Sequence, residues 1–314
     1  MDKLIYDVGA SNIKFALMTD RGEILERRKI PTPRESLEEY LKAFTDLAAP
    51  YAGRYDAVGI STNGRMQPDG NTYRAYTMNF LMGIDIKKEL EQRLGVPVVV
   101  ENDGQAATIG EWWMGAGQGA DTVIGIVLGS SIGGGMIVDG KPWRGARRNG
   151  AMVFTQLTSI DTAKEKYGIS ALGASFMLYL AIAAKLKFMR DDQMTGERFF
   201  ELLEAGDRIV TGMFRRYCRA IAVTVYNNAL LLDPDKVIIT GGLAQRQVLI
   251  EGIREALRKI ADRCMIFKGI DLRKNGLVHI DTADLEVDCT QGALCLDANL
   301  YGALYCVLKE LGQL

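Results

Sequence analysis

The sequence predicts a mixed α/β protein of two similar lobes with a ligand cleft between them. Three observations carry that expectation. Buried-strand patterns alternate with helical ones, glycine-rich turns follow several of the strands, and a succession of strand meander, helix and strand occurs once in each half. The 314 residues, 48% of them hydrophobic, suffice for two packed domains or one large one. Lysine and arginine total 38 against 39 acidic residues, which gives no general attraction to nucleic acid or anionic membranes. No apolar run reaches the ~18 residues of a membrane span, and no signal-like segment opens the chain, so a cytoplasmic protein is expected. The five cysteines are odd in number and far apart, which suits reduced core thiols. With His279 as the single histidine, a zinc site has almost no ligands to draw on, and no structural metal is expected.

Lys3 to Val8 reads as a strand stopped by Gly9, and Phe15 to Thr19 resumes after a glycine-bearing turn. In Asp7-Val8-Gly9-Ala10-Ser11-Asn12-Ile13-Lys14, small residues let backbone amides approach a phosphate. Asp7 suits a magnesium-bound water and Lys14 adds positive charge. An ordinary hairpin with a polar turn accounts for the same residues. Asp20-Arg21-Gly22 then turns the chain into Glu23 to Ile30, completing a meander. Ser36 to Tyr51 has helical periodicity, with Leu37, Tyr40, Leu41, Phe44 and Leu47 on a core-facing side. Ala57 to Thr62 is a buried strand ending in the polar cluster Asn63-Gly64-Arg65-Met66. Asn79, ahead of a helix from Ile84 to Leu94, reads equally as a polyol-binding group or a turn and capping residue.

The centre of the chain is Val98-Val99-Val100-Glu101-Asn102-Asp103, a buried strand running into helix-forming residues Ala106 to Met114. Asp103 falls at the strand's end, where open α/β sheets place ligand-handling side chains. Helix capping needs one such residue, and three polar groups stand together here, so a carboxylate acting as general base is expected. Thr122 to Leu128 is a strand leading into Gly129-Ser130-Ser131-Ile132-Gly133-Gly134-Gly135, followed by Met136 to Val138 and the turn Asp139-Gly140. A tight hairpin needs one or two permissive residues; four glycines and two hydroxyls make a second backbone cradle suited to phosphate. Arg144, Arg147 and Arg148 read as a solvated loop. Helices are expected from Tyr179 to Met189, Gly196 to Leu203 and Arg208 to Leu232, the last with Ile209, Met213, Tyr217, Ile221, Val225 and Ala229 on one side. Lys236 to Thr240 is a strand breaking at Gly241-Gly242, where a flat ligand approaches the backbone, before a helix from Val248 to Met265. Gly302 in the final helix, Ala298 to Leu314, signals close packing on another element.

Two strand-flanked glycine turns, a third after Thr240 and a carboxylate between them fit phosphoryl transfer from a nucleotide to a hydroxyl, chemistry made of positioning and charge neutralisation. On these residues the chain resembles the ROK (repressor, open reading frame, kinase) family. Asp7, Gly9, Ser11 and Lys14 keep its Asp-x-Gly-Gly-Thr-x-x-Lys turn, with Ala10 replacing a glycine. Leu128 to Gly135 is similar to its Leu-Gly-Thr-Gly-Ile-Gly-Gly-Gly, with Ser131 replacing a glycine. Glu101-Asn102-Asp103 matches its Glu-Asn-Asp motif in full.

The resemblance implies a two-lobed actin-like ATPase fold of the ribonuclease H-like type and an ATP- and magnesium-dependent sugar kinase. By it, Asp103 is the base. Asn102, Gly64 and Asn79 contact the sugar, and Gly129, Ser130, Ser131, Gly133, Gly241 and Gly242 join the first turn in holding nucleotide. It further implies lobes of residues 1–115 plus 296–314 and 116–295, and a homodimer. The chain departs from the family where Met152 and Thr155 stand in place of a sugar-binding glutamate and a histidine, and no zinc-binding cysteine motif follows. Met152 and Phe154 make that wall more apolar, suiting an aglycone, an N-acetyl methyl or a displaced sugar pose. A sensor that binds sugar or nucleotide without turnover is the competing expectation. A DNA-binding repressor is not expected, because the first strand begins at residue 3.

Overall fold

A computed structural model of the chain describes residues 1–66, 72–74, 78–129, 131–148, 150, 153, 156, 175–264 and 287–314. Among these residues, two five-stranded sheets repeat one strand plan. In the first, β1 (Asp2–Val8), β2 (Asn12–Met18) and β3 (Ile24–Pro31) form an antiparallel meander, and β4 (Tyr55–Thr62) and β7 (Val98–Asn102) add in parallel beyond β1, giving the order β3-β2-β1-β4-β7. A two-stranded ribbon, β5 (Arg65–Met66) with β6 (Thr72–Arg74), hangs from the end of β4.

In the second sheet β8 (Val123–Leu128), β9 (Ile132–Val138) and β10 (Lys141–Trp143) make the meander. There β11 (Lys236–Thr240) and β12 (Cys289–Gln291) add in parallel, in the order β10-β9-β8-β11-β12. The parallel strands β4, β7 and β11 carry apolar runs because both of their faces are covered. The sequence missed β10 and β12, which are three residues each and too short for a periodic signal.

Helices cover both faces. On the outer face of the first sheet lie α1 (Leu37–Ala48), capped by Ser36, and α2 (Ile86–Leu94), capped by Asp85. Tyr40, Leu41, Phe44 and Leu47 of α1 enter the core with Tyr6, Phe15 and Leu90, as their spacing predicts. On the outer face of the second sheet pack α4 (Phe176–Leu186), α5 (Gly196–Glu204), α6 (Arg208–Leu232) and α7 (Gln247–Cys264). The α6 stripe drifts by one residue in its first turns. Val210 and Phe214 are buried while Ile209 is exposed, because α5 and α7 cover that side.

Between the sheets lie α3 (Asp103–Met114) and α8 (Ala298–Glu310). The first packs on β8 and β9 and the second on β1, β4 and β7, and the two helices pack on each other. Their approach depends on missing side chains. A Cβ on Gly302 would stand 1.8 Å from the Ala106 carbonyl oxygen, and one on Gly110 would stand 2.0 Å from that of Ala298. The sequence signal at Gly302 therefore marks this crossing. Among the described residues no helix is long and apolar enough to cross a membrane. Four cysteines, at 218, 289, 295 and 306, are buried and free.

Candidate active site

A cleft of about 500 Å³ opens where the C-terminal ends of the parallel strands meet the two hairpin turns. The β1–β2 and β8–β9 glycine turns are hairpins, closed by Val8 opposite Ile13 and by Leu128 opposite Ile132, and both also line the cleft. Asp7, Gly9, Lys14, Gly64, Asn102, Asp103, Gly129, Ser131, Gly133, Gly241 and Gly242 all face it. Ser11 and Asn79 do not line it. Both are exposed, Ser11 giving its carbonyl to the Thr32 amide and Asn79 its carbonyl to that of Met82. Ser130, Met152, Phe154, Thr155 and His279 lie outside the described residues.

The capping question at the end of β7 resolves by division of labour. Asn102 caps α3, its Oδ1 accepting from the Gln105 amide at 3.2 Å, and Asp103 is the first helical residue. The Asn102 amide nitrogen donates to the Gly64 carbonyl at 2.9 Å and to Asp103 Oδ1 at 3.1 Å. The Gly104 N–H also donates to that oxygen, at 2.8 Å. Every one of these bonds to the Asp103 carboxylate falls on Oδ1. Burial raises this carboxyl to about 6, helped by the negative charge of Asp7 and opposed by the Gly104 and Asn102 donors.

Asp7, at the end of β1, is buried. Its Oδ2 accepts from Lys14 Nζ at 2.9 Å, and that ammonium also donates to the Leu296 carbonyl at 3.1 Å. Burial raises the Asp7 carboxyl, against the pull of Lys14 and a hydrogen bond from Ser61. Asn299 of α8 then links the two carboxylate residues, donating to Ser61 Oγ at 2.8 Å and to the Asp103 carbonyl at 3.1 Å. Sequence reading did not find Ser61 or Asn299 as parts of the site. Ser61 stands inside a buried strand run and Asn299 one residue inside a helix, and neither position advertises a ligand role.

The glycines divide into two groups. Gly129, Gly133 and Gly242 have room, nothing closer than 3.5 Å meeting a Cβ built on them. Backbone there is open to a bulky anion. Gly134 and Gly135 instead serve packing. A Cβ on Gly134 would meet the Gly125 carbonyl oxygen of β8 at 2.8 Å and Val153 at 2.9 Å, and one on Gly135 would meet Thr108 Oγ1 at 2.5 Å, where α3 lies directly on β9. Gly241 has φ +94° and sits against the Leu128 carbonyl, which fixes the third turn to the second.

The family model for ROK matches residues 5–277. The chain belongs to the ROK family. Among its relatives, an N-acetyl-D-glucosamine kinase of Citrobacter koseri is 27% identical over 76% of this chain and 83% of its own length. A glucokinase of Halalkalibacterium halodurans is 26% identical over 82% of this chain and 86% of its own. A ROK family glucokinase from Streptomyces griseus, solved in complex with glucose and AMPPNP, superposes with a TM-score of 0.81 at 25% identity, covering 97% of this chain and 98% of that one. This ROK protein therefore has the two-lobed actin-like ATPase fold, with the cleft between its lobes.

Proposed function

We propose that this ROK-family sugar kinase transfers the γ-phosphoryl group of ATP to a hexose, an N-acetylhexosamine or a related glycoside, at the 6-hydroxyl. The observation that carries the reading is the environment of Asp103. Its carboxyl stands at a strand end in the cleft, is poised near neutrality, and has one oxygen fixed by two donors, so that Oδ2 is the oxygen left for a substrate proton. In the reaction the sugar oxygen forms a bond to Pγ, the bond from Pγ to the β-bridging oxygen breaks, ADP leaves, and the hydroxyl proton passes to Asp103.

The roomy turns at Gly129, Gly133 and Gly242 suit the triphosphate, and Lys14 brings positive charge to the same cleft. Magnesium, when bound with the triphosphate, neutralises charge on the transferring group. Asp7 is the carboxylate placed to hold it through water, and a single buried carboxylate next to an ammonium fits that indirect contact better than direct ligation. Asn102 organises the sugar side. Both of its N–H donors are engaged, so a sugar hydroxyl meets it at the second lone pair of Oδ1. Relatives named for N-acetylglucosamine and for glucose support a hexose-sized acceptor of either kind.

The test is ATP consumption with magnesium across aldohexoses, N-acetylhexosamines and β-glucosides, with Asp103→Asn in parallel. Turnover with one class is expected, and the variant should lose about 10²–10⁴ in kcat. A folded wild-type protein that binds ATP and turns over none of them overturns the reading in favour of a sensor.

A further inference from the structure

One buried acid stands apart from this chemistry. Glu111, in the third turn of α3, is fully buried, and five donors converge on its carboxylate. Oε1 accepts from Thr240 Oγ1 at 2.7 Å, the Leu294 amide at 3.0 Å and the Cys295 amide at 2.8 Å. Oε2 accepts from the Ala293 amide at 2.9 Å and the Ala116 amide at 3.3 Å. A group ringed by donors in this way serves as an acceptor only, and breaking the set strands buried N–H groups.

Four of the five donors, all but the Ala116 amide just past the end of α3, come from the two segments that wall one side of the cleft. Thr240 directly precedes Gly241-Gly242, and residues 293–295 lead into Leu296, whose carbonyl holds Lys14; Cys295 and Leu296 themselves line the cleft. The loop is held under tension. Cys295 sits at φ 45°, in the left-handed region, with its thiol donating to the Gly292 carbonyl at 3.1 Å. A Cβ on Gly292 would stand 2.4 Å from Glu111 Oε1. Eight residues of helix separate Glu111 from Asp103, about 12 Å at 1.5 Å per residue, so α3 carries the proposed base at one end and this anchor further along.

We infer that Glu111 is a positioning residue for nucleotide: by tying Thr240 and residues 293–295 to α3, it sets the wall against which ATP binds. The inference rests on the reading of the cleft as an ATP site. Glu111→Gln replaces one acceptor oxygen with an NH₂ group that faces amide donors, and Thr240→Val removes a single donor while keeping the branched shape.

The experiment measures AMPPNP affinity by calorimetry, and KM for ATP and for the best sugar separately, on wild type and both variants. Glu111→Gln should weaken AMPPNP binding and raise KM for ATP by tenfold or more. Thr240→Val should do so by about threefold, and KM for the sugar should stay within twofold in both. A folded variant whose two KM values rise together, or whose AMPPNP affinity is unchanged, overturns the inference. Should Glu111→Gln fail to fold, unchanged AMPPNP affinity in Thr240→Val overturns it alone. A wild-type protein that binds no AMPPNP instead removes the ATP-site reading beneath it.

Discussion

A carboxyl raised to about 6 gives Asp103 two consequences of opposite sign. As a base it must be ionised, so kcat should rise as pH climbs through about 6 and level off above it, an acidic limb absent from Asp103→Asn. For stability the sign reverses. The folded state holds the proton more tightly than the unfolded chain, whose aspartate titrates near 3.8, so stability falls as pH rises from about 4 to about 6 and stays lower beyond. Asp103→Asn should therefore melt several degrees higher than wild type at pH 7.5 and no higher at pH 4, measured by thermal denaturation in the two buffers. Equal melting temperatures at pH 7.5 would mean that the carboxylate is better solvated than its burial indicates. At this scale the sequence was legible where chemistry coincides with a strand end. Glu101-Asn102-Asp103 interrupts an apolar run, whereas Glu111 reads as one more charged residue on a helix, since four of its five donors lie some 130 and 180 residues away.

Elements were legible in proportion to their length and periodicity. The α1 stripe and the 25-residue α6 follow from their spacing, and the strands of both meanders from their apolar runs between turns. Glycine was harder, because one residue type serves two physical purposes. Sequence reading took Gly129 to Gly135 as one phosphate cradle. Only its open positions have room for a ligand; Gly135 lets α3 settle onto β9, and Gly134 makes room for the Gly125 carbonyl and Val153. Substitution separates the two uses. Gly134→Ala places a methyl group against backbone oxygen and Val153 in a closed layer, which should cost about 1–3 kcal/mol and lower the melting temperature whatever ligand is present. Gly129→Ala meets nothing nearer than 4.0 Å, so its melting temperature should match wild type while its affinity for AMPPNP falls. Thermal denaturation with and without AMPPNP distinguishes the pair, and a Gly134→Ala protein of unchanged stability would show that β9 shifts to admit the methyl group.

For the whole molecule, the repeated strand plan explains why two similar lobes were legible, and the absence of any long-range signal explains why their junction was not. Sequence reading placed Arg144 in a solvated loop. Instead it follows β10, the edge of the second sheet, and reaches Glu101 on β7, the edge of the first, with Nε and Nη2 both 2.6 Å from Oε2. Glu101 is buried, and its other oxygen accepts from the Asn102 amide at 3.0 Å, so this bond between lobes ends at the backbone that orients Asn102 and Asp103. Cys306 of α8 lies beside the pair, its sulfur within 4.0 Å of both partners. Arg144→Met leaves a buried carboxylate without its partner, at a cost of about 3 kcal/mol, while Glu101→Gln with Arg144→Met removes both charges and should recover much of that stability. Catalysis should not recover with it. If the pair aligns the lobes behind the base, kcat stays at least tenfold low in the double variant even where its melting temperature approaches wild type, with KM for ATP little changed. A double variant that regains stability and kcat together would make the contact a matter of packing. Retention of the kcat defect in a stable protein would place the alignment of Asp103 partly in the hands of the opposite lobe.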